Sequence, residues 1–126
     1  MKLNNLPITL KVLKCYLNQI SVLDNLPITL EILDCSDNKL ILLNVLSCTS
    51  LKNLNCGYNQ LAQLNNLPQK LEVLYCNNNH LAKLDDLPQS LLLLHCHKNA
   101  ISSINLPHKI EIINIDNNKM RTINNI

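Results

Sequence analysis

The segment Leu71-Glu72-Val73-Leu74-Tyr75-Cys76-Asn77-Asn78-Asn79-His80-Leu81-Ala82-Lys83-Leu84 decides the fold, because most of the chain rewrites it with different polar residues. Numbered 1 to 14 from Leu71, it keeps apolar residues at positions 1, 4, 6, 11 and 14, and Asn79 at position 9. Segments with this spacing start at Leu10, Leu30, Leu51, Leu71, Leu91 and Ile110, so successive starts lie 20, 21, 20, 20 and 19 residues apart. Position 4 is Leu13, Leu33, Leu54, Leu74, Leu94 and Ile113, and position 11 is Ile20, Leu40, Leu61, Leu81, Ile101 and Met120. A period of about 20 residues belongs to stacked coils, each too small to bury its apolar face alone.

Each column has its own physical reason. Positions 3 to 7 read as a short strand, since side chains there alternate inward and outward, and equivalent strands one repeat apart can pair in register as a parallel sheet. Position 9 is Asn18, Asn38, Asn59, Asn79, Asn99 and Asn118. The chain turns away from the sheet there, so each carboxamide is expected to bond backbone groups left unpaired by the turn, and stacked carboxamides to bond one another.

The return path carries Leu6-Pro7, Leu26-Pro27, Leu67-Pro68, Leu87-Pro88 and Leu106-Pro107. Proline removes a donor and biases the preceding leucine to extended geometry, so the convex side is expected to be polyproline-like or turn-like instead of helical. Leu46-Ser47-Cys48-Thr49-Ser50 lacks the proline and carries an extra residue, which predicts a local bulge. Met1 to Leu6 fit positions 12 to 17 of a half repeat spanning 1–9, and Ile126 falls at position 17 of the sixth repeat. The whole of 1–126 reads as one domain.

Leucine and asparagine dominate the composition, Phe and Trp are absent, and Gly57 is the single glycine. Eleven basic and nine acidic residues give a net charge of +2, with the lysines spread out, so charge alone draws the protein to neither nucleic acid nor an anionic membrane. No apolar run reaches the roughly 18 residues of a membrane span, and Met1 to Leu10 lack the pattern of a secretory signal. A cytoplasmic protein with reduced cysteines is expected.

With these residues in view, the pattern LPxxLxxLxCxxNxLxxLxxLP over residues 3–126 resembles the short bacterial-type leucine-rich repeats of type III secreted effectors. It is more similar still to the Leu/Asn-rich repeat proteins of large DNA viruses of amoebae, in which cysteine at position 6 is familiar. The resemblance implies an α/β-class leucine-rich repeat solenoid that is nearly all-β here: a right-handed superhelix with six parallel strands on its concave face. It also implies a binding module working in a host-cell cytoplasm or a virion. Family members with ubiquitin-ligase activity carry it in a separate C-terminal domain, for which these residues show no counterpart.

Cys15, Cys35, Cys56, Cys76 and Cys96 all hold position 6, which points inward. Neighbouring strands lie ~4.8 Å apart, but the Cβ atoms of in-register parallel strands are too far apart for easy bridging, so the column reads as reduced thiols used as small core hydrophobes. A redox or metal role is the competing reading. Cys48, outside the column, is the best candidate for a reactive thiol.

His95 and His97 flank Cys96 at positions 5 and 7 and share the concave face with Asp116 of the next strand. Two imidazoles and a carboxylate make a weak metal candidate; a cross-strand contact between His97 and Asp116 on a polar surface is the plainer reading. No phosphate loop or nucleophile motif occurs, and neither an enzyme nor a cofactor is expected.

Specificity is expected on the concave face, where positions 3, 5 and 7 vary while the inward columns stay constant. Position 3 is Val12, Ile32, Asn53, Val73, Leu93 and Ile112, an apolar stripe broken once, at Asn53, that lateral packing alone would also favour. Tyr16, Val73, Tyr75, Leu93, His95, His97 and Asp116 are the candidate contacts for a protein or peptide partner, with Tyr75, His95, His97 and Leu93 as the anchor. At position 2, Lys11, Glu31, Lys52 and Glu72 alternate in sign and are expected to pair laterally. The edges of the first and last strands are candidate sites of self-association unless Met1–Thr9 and 122–126 cover them.

Overall fold

The structure is a computed structural model that describes residues 1–125; the reading of Ile126 lies outside the described residues. Eight short strands follow in order: β1 Val12–Lys14, β2 Ile32–Asp34, β3 Asn53–Asn55, β4 Val73–Tyr75, β5 Leu93–His95, β6 Ser103–Leu106, β7 Ile112–Asn114 and β8 Thr122–Asn125. No helix occurs among the described residues. Six of the strands form a parallel sheet in the order β1-β2-β3-β4-β5-β7, one strand per coil. Its register pairs like with like: Leu33 opposes Leu54, Leu54 opposes Leu74, and Leu74 opposes Leu94.

Each of these strands covers positions 3 to 5, fewer than the five positions expected. The reason lies at position 8, where Leu17, Asp37, Tyr58, Asn78, Lys98 and Asn117 all have φ between 51° and 55°. A left-handed residue bends the chain out of the strand. Coil-to-coil bonding nevertheless continues around the bend, with Cys56 N–H donating to Tyr75 O at 2.8 Å and Tyr58 N–H to Asn77 O at 2.9 Å.

The return path is turn-like at each proline. Leu10, Leu30, Leu71, Leu91 and Ile110 donate their N–H to the carbonyls of Pro7, Pro27, Pro68, Pro88 and Pro107. A second left-handed residue, Asn5, Asn25, Asn66 or Asp86, stands just ahead of four of the Leu-Pro pairs. The 19-residue fifth repeat has no such residue, and its path straightens into β6, which pairs in parallel with β8 on the return side. This second sheet was not expected from the repeat pattern; one missing residue accounts for it.

The second repeat replaces a single turn by two in tandem, with Cys48 N–H donating to Val45 O and Leu51 N–H to Cys48 O, both at 3.0 Å. Val45 and Cys48 are wholly buried there, and Cys48 occupies the place that proline holds in the other coils. The reading of Cys48 as a reactive loop thiol is therefore corrected: it is a core residue, and burial raises its pKa above the ordinary 9.0 against a smaller lowering effect of the Ser47 hydroxyl.

The core is one continuous column of leucines and cysteines, in which Leu30, Leu51, Leu71 and Leu91 exclude water completely. It frays at both ends: Leu13 is only half-buried and Ile113 is exposed, each having a neighbouring coil on one side alone. Lys2 bridges Val22, and Met1 O accepts the Ser21 N–H at 3.0 Å, so the first residues join the return path of the first repeat. Neither they nor β8 pair with the outer edges of β1 and β7. Of the lateral charge pairs expected at position 2, Lys11–Glu31 closes, at 3.1 Å.

Candidate functional site

The asparagine column forms the wall beside the concave sheet. Asn59 is typical: its Nδ2 donates to the carbonyls of Cys35, Cys56 and Gly57, and its Oδ1 accepts the Leu40 N–H at 2.9 Å. Asn38, Asn79, Asn99 and Asn118 repeat the arrangement, while Asn18 bonds only Cys15 O and Tyr16 O within its own coil. The carboxamides bond backbone and not one another, which corrects the expected ladder; the coil spacing puts each next to a carbonyl that needs a donor. All the cysteines are free and buried. Burial pushes Cys15 up to about 11 and Cys96 up to about 12, and holds Cys35, Cys56 and Cys76 well above the ordinary thiol value. Held neutral and out of water, these thiols pack in the core beside the leucines, and a neutral thiol is a poor nucleophile.

The concave face divides along its length. In its middle, Ser36, Gly57 and Asn77 of position 7 are buried, and Asp34 and Asn55 turn their side-chain oxygens onto the N–H groups of Ser36 and Gly57, both at 3.1 Å. Position 7 is thus less available there than the alternating pattern suggested. Gly57 has a spatial reason: a Cβ would stand 3.0 Å from Asn77 Oδ1.

Beyond the middle the face becomes aromatic. Register places Val73 beside Leu93 and Tyr75 beside His95. The Tyr75 and His95 rings meet edge-to-face at 4.9 Å, and His95 and His97 lie 6.0 Å apart at 65°. All five side chains are half-buried, which leaves a shallow apolar and aromatic surface with several polar atoms. His97 Nδ1 is buried without a hydrogen-bond partner. Desolvation lowers the His97 pKa, with His95 and Lys98 acting in the same direction and Asp116 opposing them.

Two candidates stand apart from this group. Tyr16 is exposed at the end of β1, with β2 and β3 between it and the Tyr75 strand. Asp116 is exposed and forms no ion pair with His97. Among the described residues, no group of three or more His, Cys, Asp or Glu side chains is placed to hold a metal ion.

YopM from Yersinia enterocolitica WA-314 is similar over 97% of this chain, with 31% identity and a TM-score of 0.93, the overlap covering 28% of that structure. The chain is a leucine-rich repeat solenoid of the short bacterial type. The functional domain of InlJ from Listeria monocytogenes, which includes a cysteine ladder, is also similar, with 27% identity over 89% of this leucine-rich repeat chain, 31% of its own length and a TM-score of 0.68. The repeats described here thus span under a third of either structure. No protein-family model and no curated protein matches the chain.

Proposed function

We propose that the protein is a non-enzymatic binding module whose concave sheet takes a protein or peptide partner, anchored on Tyr75, Leu93, His95 and His97. The observation that carries this reading is the edge-to-face series from Tyr75 to His95 to His97 across neighbouring coils, beside the Val73–Leu93 pair. Aromatic side chains held rigidly at the centre of a surface supply contact area at little entropic cost and dominate many interfaces. The near-neutral charge of the chain and its scattered lysines favour protein over nucleic acid or membrane. Buried, free thiols suit a reducing cytoplasm. The test is a pull-down with the intact protein and with Tyr75→Ala, His95→Ala; loss of the same partners supports the reading, and their unchanged recovery removes it.

A second reading, self-association through the outer edges of β1 and β7, is favoured by the exposure of Ile112 and Ile113 beside the unpaired β7 edge. Light scattering over a dilution series tests it, and a monomer at all concentrations excludes it.

A further inference from the structure

The return side of the second repeat exposes Ile41 (66%), Leu42 (59%) and Leu46 (56%) to solvent. The fold does not ask for these residues. At the positions of Ile41-Leu42 the other repeats carry Ser21-Val22, Ala62-Gln63, Ala82-Lys83, Ser102-Ser103 and Arg121-Thr122. Leu46 owes its exposure to the extra residue: the tandem turns put Val45 and Cys48 inside and leave Leu46 and Ser47 on the outer bend. Ile41, Leu42 and Leu46 stand within six residues of one return segment, and large apolar side chains exposed together without any demand of the core are characteristic of interaction surfaces.

Two open grooves flank this ridge. One of about 530 Å³ faces the first repeat, lined by Val22, Asp24, Ile41 and Leu42. The other, of about 750 Å³, faces the third and fourth repeats, lined by Leu46, Leu67, Pro68, Lys70, Asp85 and Asp86. Each groove contains a carboxylate, but the net acidic margin lies on one side, at Asp85 and Asp86. Lys2 is engaged with Asp24 at 3.0 Å, and Lys70 is the basic residue of the larger groove, which leaves that groove with two carboxylates against one ammonium. An apolar centre with an acidic margin at Asp85 and Asp86 complements a segment that presents apolar side chains flanked by lysine or arginine.

We infer that the Ile41, Leu42 and Leu46 ridge, with Asp85 and Asp86 at its margin, is a second docking surface, for a basic amphipathic segment of a protein partner. It lies on the return side, separate from the concave face, and the two surfaces are independent.

The test uses the full chain, isotope-labelled for amide NMR, and three synthetic 18-residue peptides: an amphipathic Leu/Lys helix, a Leu/Glu helix of the same pattern, and a scrambled Leu/Lys sequence. The Leu/Lys helix is expected to shift amides of residues 41–49 and 85–86, to bind at least tenfold more tightly than either control, and to weaken as salt rises. Ile41→Ser, Leu42→Gln, Leu46→Ser together should reduce its affinity at least tenfold, and Asp85→Asn, Asp86→Asn about threefold with a shallower salt dependence. All five positions are exposed, and circular dichroism checks that the variants keep the fold. The inference is overturned by no binding up to roughly 1 mM, by equal binding of the controls, or by shifts confined to the sheet. It is equally overturned if the free protein self-associates through this ridge, or binds anionic vesicles in preference to the peptide.

Discussion

The carboxamide of Asn79 donates to the carbonyl of Cys56, one coil back, at 3.0 Å, and to the carbonyl of Cys76 in its own coil at 3.1 Å. Its Oδ1 accepts the Leu61 N–H at 2.9 Å, so one buried side chain joins two coils through both of its polar ends. Replacing Asn79 by Ala leaves an N–H and carbonyls unpaired inside the protein, at about 1–3 kcal/mol for each orphaned group. Urea unfolding should show a loss of roughly 3 kcal/mol or more. Asn79→Asp should be nearly as damaging, because a carboxylate can accept from Leu61 but cannot donate to the carbonyls. Asn18→Ala, at an exposed place with no earlier coil, should cost clearly less. Equal losses at the two sites would remove the coil-joining role.

The six thiols should be silent in the folded protein. A thiol-specific disulfide reagent at pH 8 is expected to label none of them quickly and all of them in urea, Cys48 included. Fast labelling of one thiol in the native protein would contradict its burial.

Alkaline pH should destabilise the fold through the same column. Unfolded thiols lose their protons near the ordinary 9.0, whereas folded Cys15 keeps its proton to about 11 and Cys96 to about 12. Above pH 9 the unfolded chain therefore binds fewer protons than the folded one, and stability falls as pH rises. The contribution is complete below 9 and is lost through the folded values. Thermal unfolding between pH 8 and 11 should show this decline, and Cys76→Ala should make it shallower.

His97 should titrate below the ordinary imidazole value of 6.5, because burial and the neighbouring His95 and Lys98 disfavour its charged form. Asp116 acts in the opposite sense, so Asp116→Asn should move the midpoint lower still. NMR titration of the ring protons reads both shifts. An unchanged midpoint in the variant would show that the carboxylate does not reach the ring.

Gly57→Ala should weaken the fold by about 1–2 kcal/mol, through crowding of Asn77 Oδ1 and not through backbone strain, since Gly57 does not have a positive φ. Combining it with Asn77→Ser should recover much of the loss. Additive losses in the double variant would indicate a different cause.

The repeat columns made the solenoid legible in the sequence because a coil of about 20 residues can bury a leucine row only against its neighbours. The parallel register of Leu33, Leu54, Leu74 and Leu94, the inward cysteines and the turn asparagines all follow from spacing alone. Spacing could not show where each side chain ends. The Asn carboxamides reach carbonyls a full coil away, and that partner exists only once the coils have stacked. The third dimension also moved Cys48 into a proline's place and left Leu46 outside, because one extra residue was taken up by a second turn. One missing residue in the fifth repeat made a strand of the return path. The sequence by itself determined the repeating core; the tertiary structure decided which departures from the repeat became surface, since a departure is absorbed wherever the backbone can still bond and the core can still close.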